Sequence, residues 1–230
     1  MKKLLLFFAA VGACLSGVAQ LNQIVAEPYS MTVGTQPAGT TTYRLYAEMA
    51  QATDKVSAVF ATLGCHPLDV STTTTFHNDG FGGTLGSTIN AGFFGFFPTY
   101  EADSWITIGA SNTLSPGAAD VGAVATVPAA PYAPSVGTTP GVSLVMEDGA
   151  WYTLATSASA LPTGPNNRVL LGQFTTDGEL SYNINLQVFV GGDQANGRED
   201  YVNSVDCIGS PITAPTGFEV ACPSCTFPPI

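Results

Sequence analysis

The sequence predicts an all-β protein, an antiparallel β-sandwich with jelly-roll-like or related topology and long Gly/Pro-rich loops. Three observations lead there. In residues 179–190, Leu180, Tyr182, Ile184, Leu186, Val188 and Val190 alternate with Ser181, Asn183, Asn185 and Gln187, and only Phe189 breaks the polar row. Successive side chains on a strand point to opposite faces, so this stretch has one apolar face for a core and one amide-rich face for water. Charged residues make up only 10% of a chain that is 45% hydrophobic and carries Gly 25 and Pro 16, a composition of strands and turns and not of helices. Asp148-Gly149 and Asp177-Gly178 each separate apolar runs, where the positive φ of a tight hairpin turn favours that dipeptide. At 230 residues the chain is long enough for one such domain with a real core.

The elements follow in order. Met1-Lys2-Lys3, an apolar run over residues 4–15 and the small residues Gly17-Val18-Ala19 form a signal peptide, residues 1–19, with cleavage before Gln20. The protein is therefore expected to be secreted or at the cell surface. Cys14, in Val-Gly-Ala-Cys, offers a rival reading as a lipidated N-terminus. No later run approaches the roughly 20 apolar residues of a transmembrane helix. Residues 20–41 are a Pro/Gly/Thr-rich extended lead-in. Residues 42–49 alternate through Tyr43, Leu45, Ala47 and Met49, and residues 55–62 through Val56, Ala58 and Phe60, which predicts a hairpin around the turn at 51–54. Residues 68–76 carry Val70 and four consecutive threonines, a β-branched strand. A glycine-rich turn at 77–83 leads to Phe93, Phe94, Phe96 and Phe97, spaced by glycine. These rings either plug one end of the sandwich or form an exposed ligand-stacking patch. Residues 103–109 are a further strand, and 111–141 a long low-charge connection with one strand at 121–127. The two Asp-Gly turns then predict hairpins joining 142–146 to 150–155 and 168–174 to 179–190. The sandwich spans residues 42–206, and 207–230 form a Cys/Pro-rich tail.

The formal net charge is -11, and without the leader lysines the cations are Arg44, Lys55, Arg168 and Arg198, scattered along the chain. No basic patch remains for phosphates, so nucleic acid and anionic membranes are excluded as partners. A serine hydrolase would need a nucleophile, a base and an orienting acid. Ser104 with His77 is a candidate pair, but there is no Gly-x-Ser-x-Gly elbow. For glycoside hydrolysis, Glu101 with Asp103 or Glu147 with Asp148 are candidate carboxylate pairs, equally readable as solvated surface acids. Calcium needs several oxygen ligands in a flexible turn; Asn78 and Asp79, and Asp193, Asn196 and Asp200 near Glu199, are candidate ligands, neither group matching an EF-hand. After the leader, Cys65, Cys207, Cys222 and Cys225 form an even set that permits three pairings, and structural disulfides are expected.

Residues 42–49, the turn at 76–83, residues 103–109 and Leu186-Gln187-Val188-Phe189-Val190 together resemble a secreted β-rich module of surface and extracellular proteins of Bacteroidetes-type bacteria. The resemblance implies an extracellular setting and brings no catalytic residues. The function expected is a non-catalytic binding or adhesion module for an extracellular glycan or surface protein, with Phe93, Phe94, Phe96, Phe97, Trp105, Trp151 and Tyr152 as ligand-stacking candidates. A structural subunit that self-associates by donating residues 21–41 is the first alternative, and a polysaccharide hydrolase the second.

Overall fold

The computed structural model describes residues 21–129 and 141–202. The leader with Cys14, and Cys207, Cys222 and Cys225, lie outside the described residues. In chain order the strands are β1 (Leu21–Pro28), β2 (Thr41–Met49), β3 (Lys55–Ala61), β4 (Leu68–Phe76), β5 (Trp105–Ile106), β6 (Gly122–Val127), β7 (Gly141–Met146), β8 (Asp148–Tyr152), β9 (Arg168–Thr176), β10 (Leu180–Asn183), β11 (Asn185–Phe189) and β12 (Arg198–Tyr201). The helical segments described are three-residue 3-10 turns.

The strands form two antiparallel sheets, as an all-β sandwich requires. The larger runs β1-β2-β9-β4-β10, with β5 added to β9 and β7 to β4; the smaller runs β12-β11-β3-β8-β6. One core lies between them. Leu45, Ala47 and Met49 of β2, Leu68 and Val70 of β4 and Val169 and Leu171 of β9 meet Val56 and Val59 of β3, Trp151 of β8 and Leu186 and Val188 of β11. The indole N–H of Trp151 donates to the Leu171 carbonyl at 3.1 Å and so ties the two sheets directly.

All three predicted hairpins are corrected. β2 and β3 do not pair; they stack across the core in opposite sheets. The buried Asp54 explains the break, because its carboxylate accepts from Gln51 N and from Gly191 N and anchors the connection beside the end of β11 in the smaller sheet. β7 and β8 are separated by Glu147 alone, too few residues for a hairpin loop, and the chain changes sheet there. Gly149 is needed inside β8 instead of in a turn: its φ is +149°, and a Cβ would stand 2.5 Å from the Val124 carbonyl oxygen. β10 pairs with β4, which lies between it and β9. The threonines of β4 make the seam, with Thr72 and Thr74 hydroxyls on the Thr176 hydroxyl at 2.7 and 3.0 Å and Glu179 N donating to Thr73 at 3.0 Å.

The long alternating stretch also crosses between sheets. It divides at Ile184 into β10 of the larger sheet and β11 of the smaller. Leu180, Tyr182, Ile184, Leu186 and Val188 all stay buried, since the chain keeps the same face to the core as it crosses. Asn185, from the polar row, is 1% exposed at the crossing, and its amide donates to the carbonyls of Phe60 and His66 at 2.9 and 3.2 Å.

Two placements bear directly on function. The lead-in contributes β1, paired along its length with β2, so the proposed donor strand already has a place in its own sheet. Residues after β4 pack on the larger sheet, with Ile106 and Ile108 reaching the core between the sheets. They are stitched down where β5 pairs with β9, and Ile89, Tyr100, Trp105 and Leu170 form a second apolar cluster with Tyr46, Phe94 and Phe97 packed against it.

Candidate functional site

A cavity of about 240 Å³ opens where this overlying layer meets the sheet. Its floor comes from the polar face of the predicted 42–49 strand. Arg44 of β2 and Gln173 of β9 stand opposite each other, and Arg44 Nε donates to Gln173 Oε1 at 2.9 Å. The Gln173 amide nitrogen donates to the carbonyls of Glu101 and Asp103, both at 2.9 Å, so one buried side chain fixes both the arginine and the segment above it. The Arg44 guanidinium lies 3.5 Å from the Tyr29 ring centroid and 5.9 Å from Trp105.

One wall is the loop after β1. Both oxygens of Glu101 are committed to it: Oε1 accepts from the Tyr29 hydroxyl at 2.8 Å and from Thr32 N and Oγ1 at 2.7 and 2.6 Å, and Oε2 from Val33 N and Gly34 N at 2.9 and 2.6 Å. Burial pushes this carboxyl up, but the Thr32 hydroxyl and the Gly34, Thr32 and Val33 amides outweigh it and hold it at about 2. The opposite wall is Ile89, Ala91 and Phe94, and Ser111 and Asn112 close the end. The volume lies below the ~300–1,000 Å³ of drug-sized sites, so the cavity suits one small ring or end group.

A second buried carboxylate holds the neighbouring loop. Asp103 accepts from Asp79 N at 2.8 Å and Gly83 N at 3.0 Å, and the loop passes so close that a Cβ on Gly82 would meet both carboxylate oxygens at 2.4 Å. Burial drives the Asp103 carboxyl up to about 8, against the Asp79 and Gly83 amides and with the Asp79 charge adding to the rise. The folded protein therefore keeps a proton that the unfolded chain releases near pH 4. Stability is expected to fall as pH rises from about 4 to about 8, and below about 4.5 to fall again as Glu101 protonates. Thermal melting across pH 2–9 checks this; a melting temperature that climbs steadily from pH 5 to 8 would refute the Asp103 assignment.

The structure divides the stacking candidates. Phe94, half-buried, and Trp105, only 2% exposed, line the cavity, so Phe94 is the ring that a ligand can reach there. Phe93 and Phe96 are exposed on the same loop, at 47% and 78%, and Phe97 packs between Phe93 and Phe81, with centroids 6.1 and 4.0 Å away. Trp151 must be removed from the set, because it is wholly buried in the core with its indole N–H engaged. Tyr152 is exposed but stands on β8 of the smaller sheet, apart from the phenylalanines.

The other candidates are not assembled. Ser104 is fully buried; its hydroxyl donates to the His77 carbonyl and accepts from Thr175 N, and its partner at His77 is the backbone, not the imidazole. Glu101 and Asp103 each bind loop amides, and Asp148 accepts from the Thr126 hydroxyl. For calcium, Asp79 accepts from Phe81 N and the Thr99 hydroxyl, Asp193 from Ala195 N and Asn196 N, and Asp200 pairs with Arg198 at 2.7 Å. Those internal donors use oxygens that Asp79, Asp193 and Asp200 were expected to offer a cation, and Asn196 donates its amide N–H to Asp193. Among the described residues no group of three or more His, Cys, Asp or Glu side chains is placed to hold a metal. Cys65 sits half-buried in the turn from Thr62 to His66 and is not a free thiol. No described helix is long and apolar enough to cross a membrane.

Sequence reasoning missed Tyr29, Arg44, Gln173 and Phe81. The available signal was Arg44, one of the few cations outside the leader, set on the polar side of an alternating strand. Comparison with protein-family models, curated proteins and solved structures gives no match, so the functional reading rests on the site itself.

Proposed function

We propose that the protein is a secreted, non-catalytic binding module for extracellular glycans, of the kind its resemblance to secreted β-rich modules suggests. The observation that carries this reading is the cavity of Arg44, Trp105, Phe94 and Asn112, with the exposed rings of Phe93 and Phe96 on the same loop as Phe94. Small sites that take polar rings combine apolar walls with a few fixed polar groups, and this one has both. Gly95 packs near Val33 of the opposite wall, so the phenylalanine loop and the lead-in loop meet at its rim. The leader-like N-terminus and low charge support export, and we propose that Cys65 is bonded to one of the tail cysteines. Mass spectrometry without reductant checks that pairing, and free thiols on Cys207, Cys222 and Cys225 would refute it.

The function is tested by mixing the purified mature chain with insoluble polysaccharides and cell-wall fractions, following protein depletion and release of soluble sugar. Depletion without release is the expected result. Sugar release would overturn the non-catalytic reading, and the absence of both would overturn glycan binding. Phe96→Ala is expected to weaken retention roughly fivefold, about 1 kcal/mol for one exposed ring, without lowering the melting temperature. Unchanged retention would remove Phe96 from the binding surface.

A further inference from the structure

We propose that the ligand of the cavity is an acidic sugar whose carboxylate is received by Arg44; this rests on the glycan-binding reading above. Arg44 spends only Nε within the protein, on Gln173, and its terminal nitrogens make no hydrogen bond among the described residues. The ion pairs described there join Arg168 to Glu27 and Glu48 and Arg198 to Asp200, and none includes Arg44.

Glu101 lines the same cavity as an ionised group and offsets part of the charge of Arg44, but no ion pair among the described residues joins the two. Both Glu101 oxygens are filled by donors of the loop after β1, and the Tyr29 ring that supports the guanidinium donates its hydroxyl to that same carboxylate. The result is a cation held 3.5 Å over the Tyr29 ring, steered by Gln173, and left with two N–H-bearing nitrogens for a planar two-oxygen partner. In a chain of net charge -11 the wider surface repels anions, and Arg44 is one of four cations outside the leader that could receive one. Half-buried Phe94, with the edge of Trp105, supplies an apolar wall for a ring face, and Ser111 and Asn112, whose side chains bond each other at 3.3 Å, add polar groups to the lining. A hexuronate matches all three features.

The test is a fluorescence titration of the mature chain, in which Trp105 reports on the cavity while Trp151 stays in the core. The probes are trigalacturonate, its methyl ester and neutral galactotriose. Trigalacturonate is expected to bind at least about tenfold more tightly than the other two, the scale of a charge-assisted hydrogen-bond pair. Arg44→Gln should abolish that preference, and Arg44→Lys should restore part of it. Equal binding of acid, ester and neutral sugar by the natural chain would overturn the acidic-sugar assignment and leave glycan binding standing. No response to any of them would overturn it too, with glycan binding then judged by polysaccharide depletion. Should Arg44→Gln fail to fold, the comparison of acid with ester on the natural chain decides the question alone.

Discussion

Glu101→Gln is expected to destabilise the protein by about 3 kcal/mol and to abolish ligand binding. The magnitude follows from the loop donors left facing an amide N–H, each costing about 1–3 kcal/mol when unsatisfied. Glutamine keeps the shape but turns one oxygen into an N–H donor. Whichever way the amide faces, it meets donors: Val33 N and Gly34 N on one side, Tyr29, Thr32 N and the Thr32 hydroxyl on the other. The loop that walls the cavity loses its anchor, and the ring beneath Arg44 loses its hydroxyl partner. The variant should also lose the acid-side decline of stability between about pH 4.5 and 2 that Glu101 gives the natural chain. Urea unfolding at pH 7 and pH 3 measures both effects. A variant within about 0.5 kcal/mol of the natural protein would mean that Glu101 does not hold the loop.

Trp151→Ala should cost about 3–5 kcal/mol, the range for emptying a core site of an aromatic ring. Trp151 is the large side chain of β8 that reaches the opposite sheet, so its loss opens a cavity and also leaves the Leu171 carbonyl without its donor. Trp151→Phe keeps much of the volume and should be milder, with about 1 kcal/mol attributable to the hydrogen bond. Equilibrium unfolding in urea gives the ranking. If Trp151→Ala kept its stability and lost only ligand binding, the ring would belong to a binding surface and the core described here would be wrong.

Most strands were legible in the sequence, β12 and the full length of β1 excepted, and their partners were not. Alternation located β2, β3, β10 and β11, and a β-branched run located β4, because these patterns record burial and propensity, which are the same whichever sheet a strand joins. Leu180 to Val188 kept one periodicity across a change of sheet at Ile184, so nothing in that pattern marked the crossing. The Asp-Gly pairs misled for a related reason. Gly149 is required for a close backbone approach inside β8, a demand that a dipeptide cannot distinguish from a turn.

The site was legible only in part. Clustered phenylalanines drew attention to residues 93–97, and the structure places Phe94 in the cavity and leaves Phe93 and Phe96 exposed on the same loop. Trp105 was picked out for its ring, whereas its place beside Arg44 depends on β5 pairing with β9 far along the chain. Glu101 and Asp103 look alike in sequence. Their environments separate them, one ringed by loop donors and drawn down, the other buried beneath a glycine turn and driven up. Such differences arise from contacts between residues 20 to 70 positions apart, which no local pattern encodes.

The most direct test of the account is amide hydrogen exchange on the mature chain, with and without a soluble fragment of whichever polysaccharide depletes it. Protection is expected at residues 29–35 and 89–112, the two loops that wall the cavity, with little change in the smaller sheet. Protection confined to β6, β8 or β12 would place the ligand on the other face of the molecule and contradict the assignment of this cavity as the binding site.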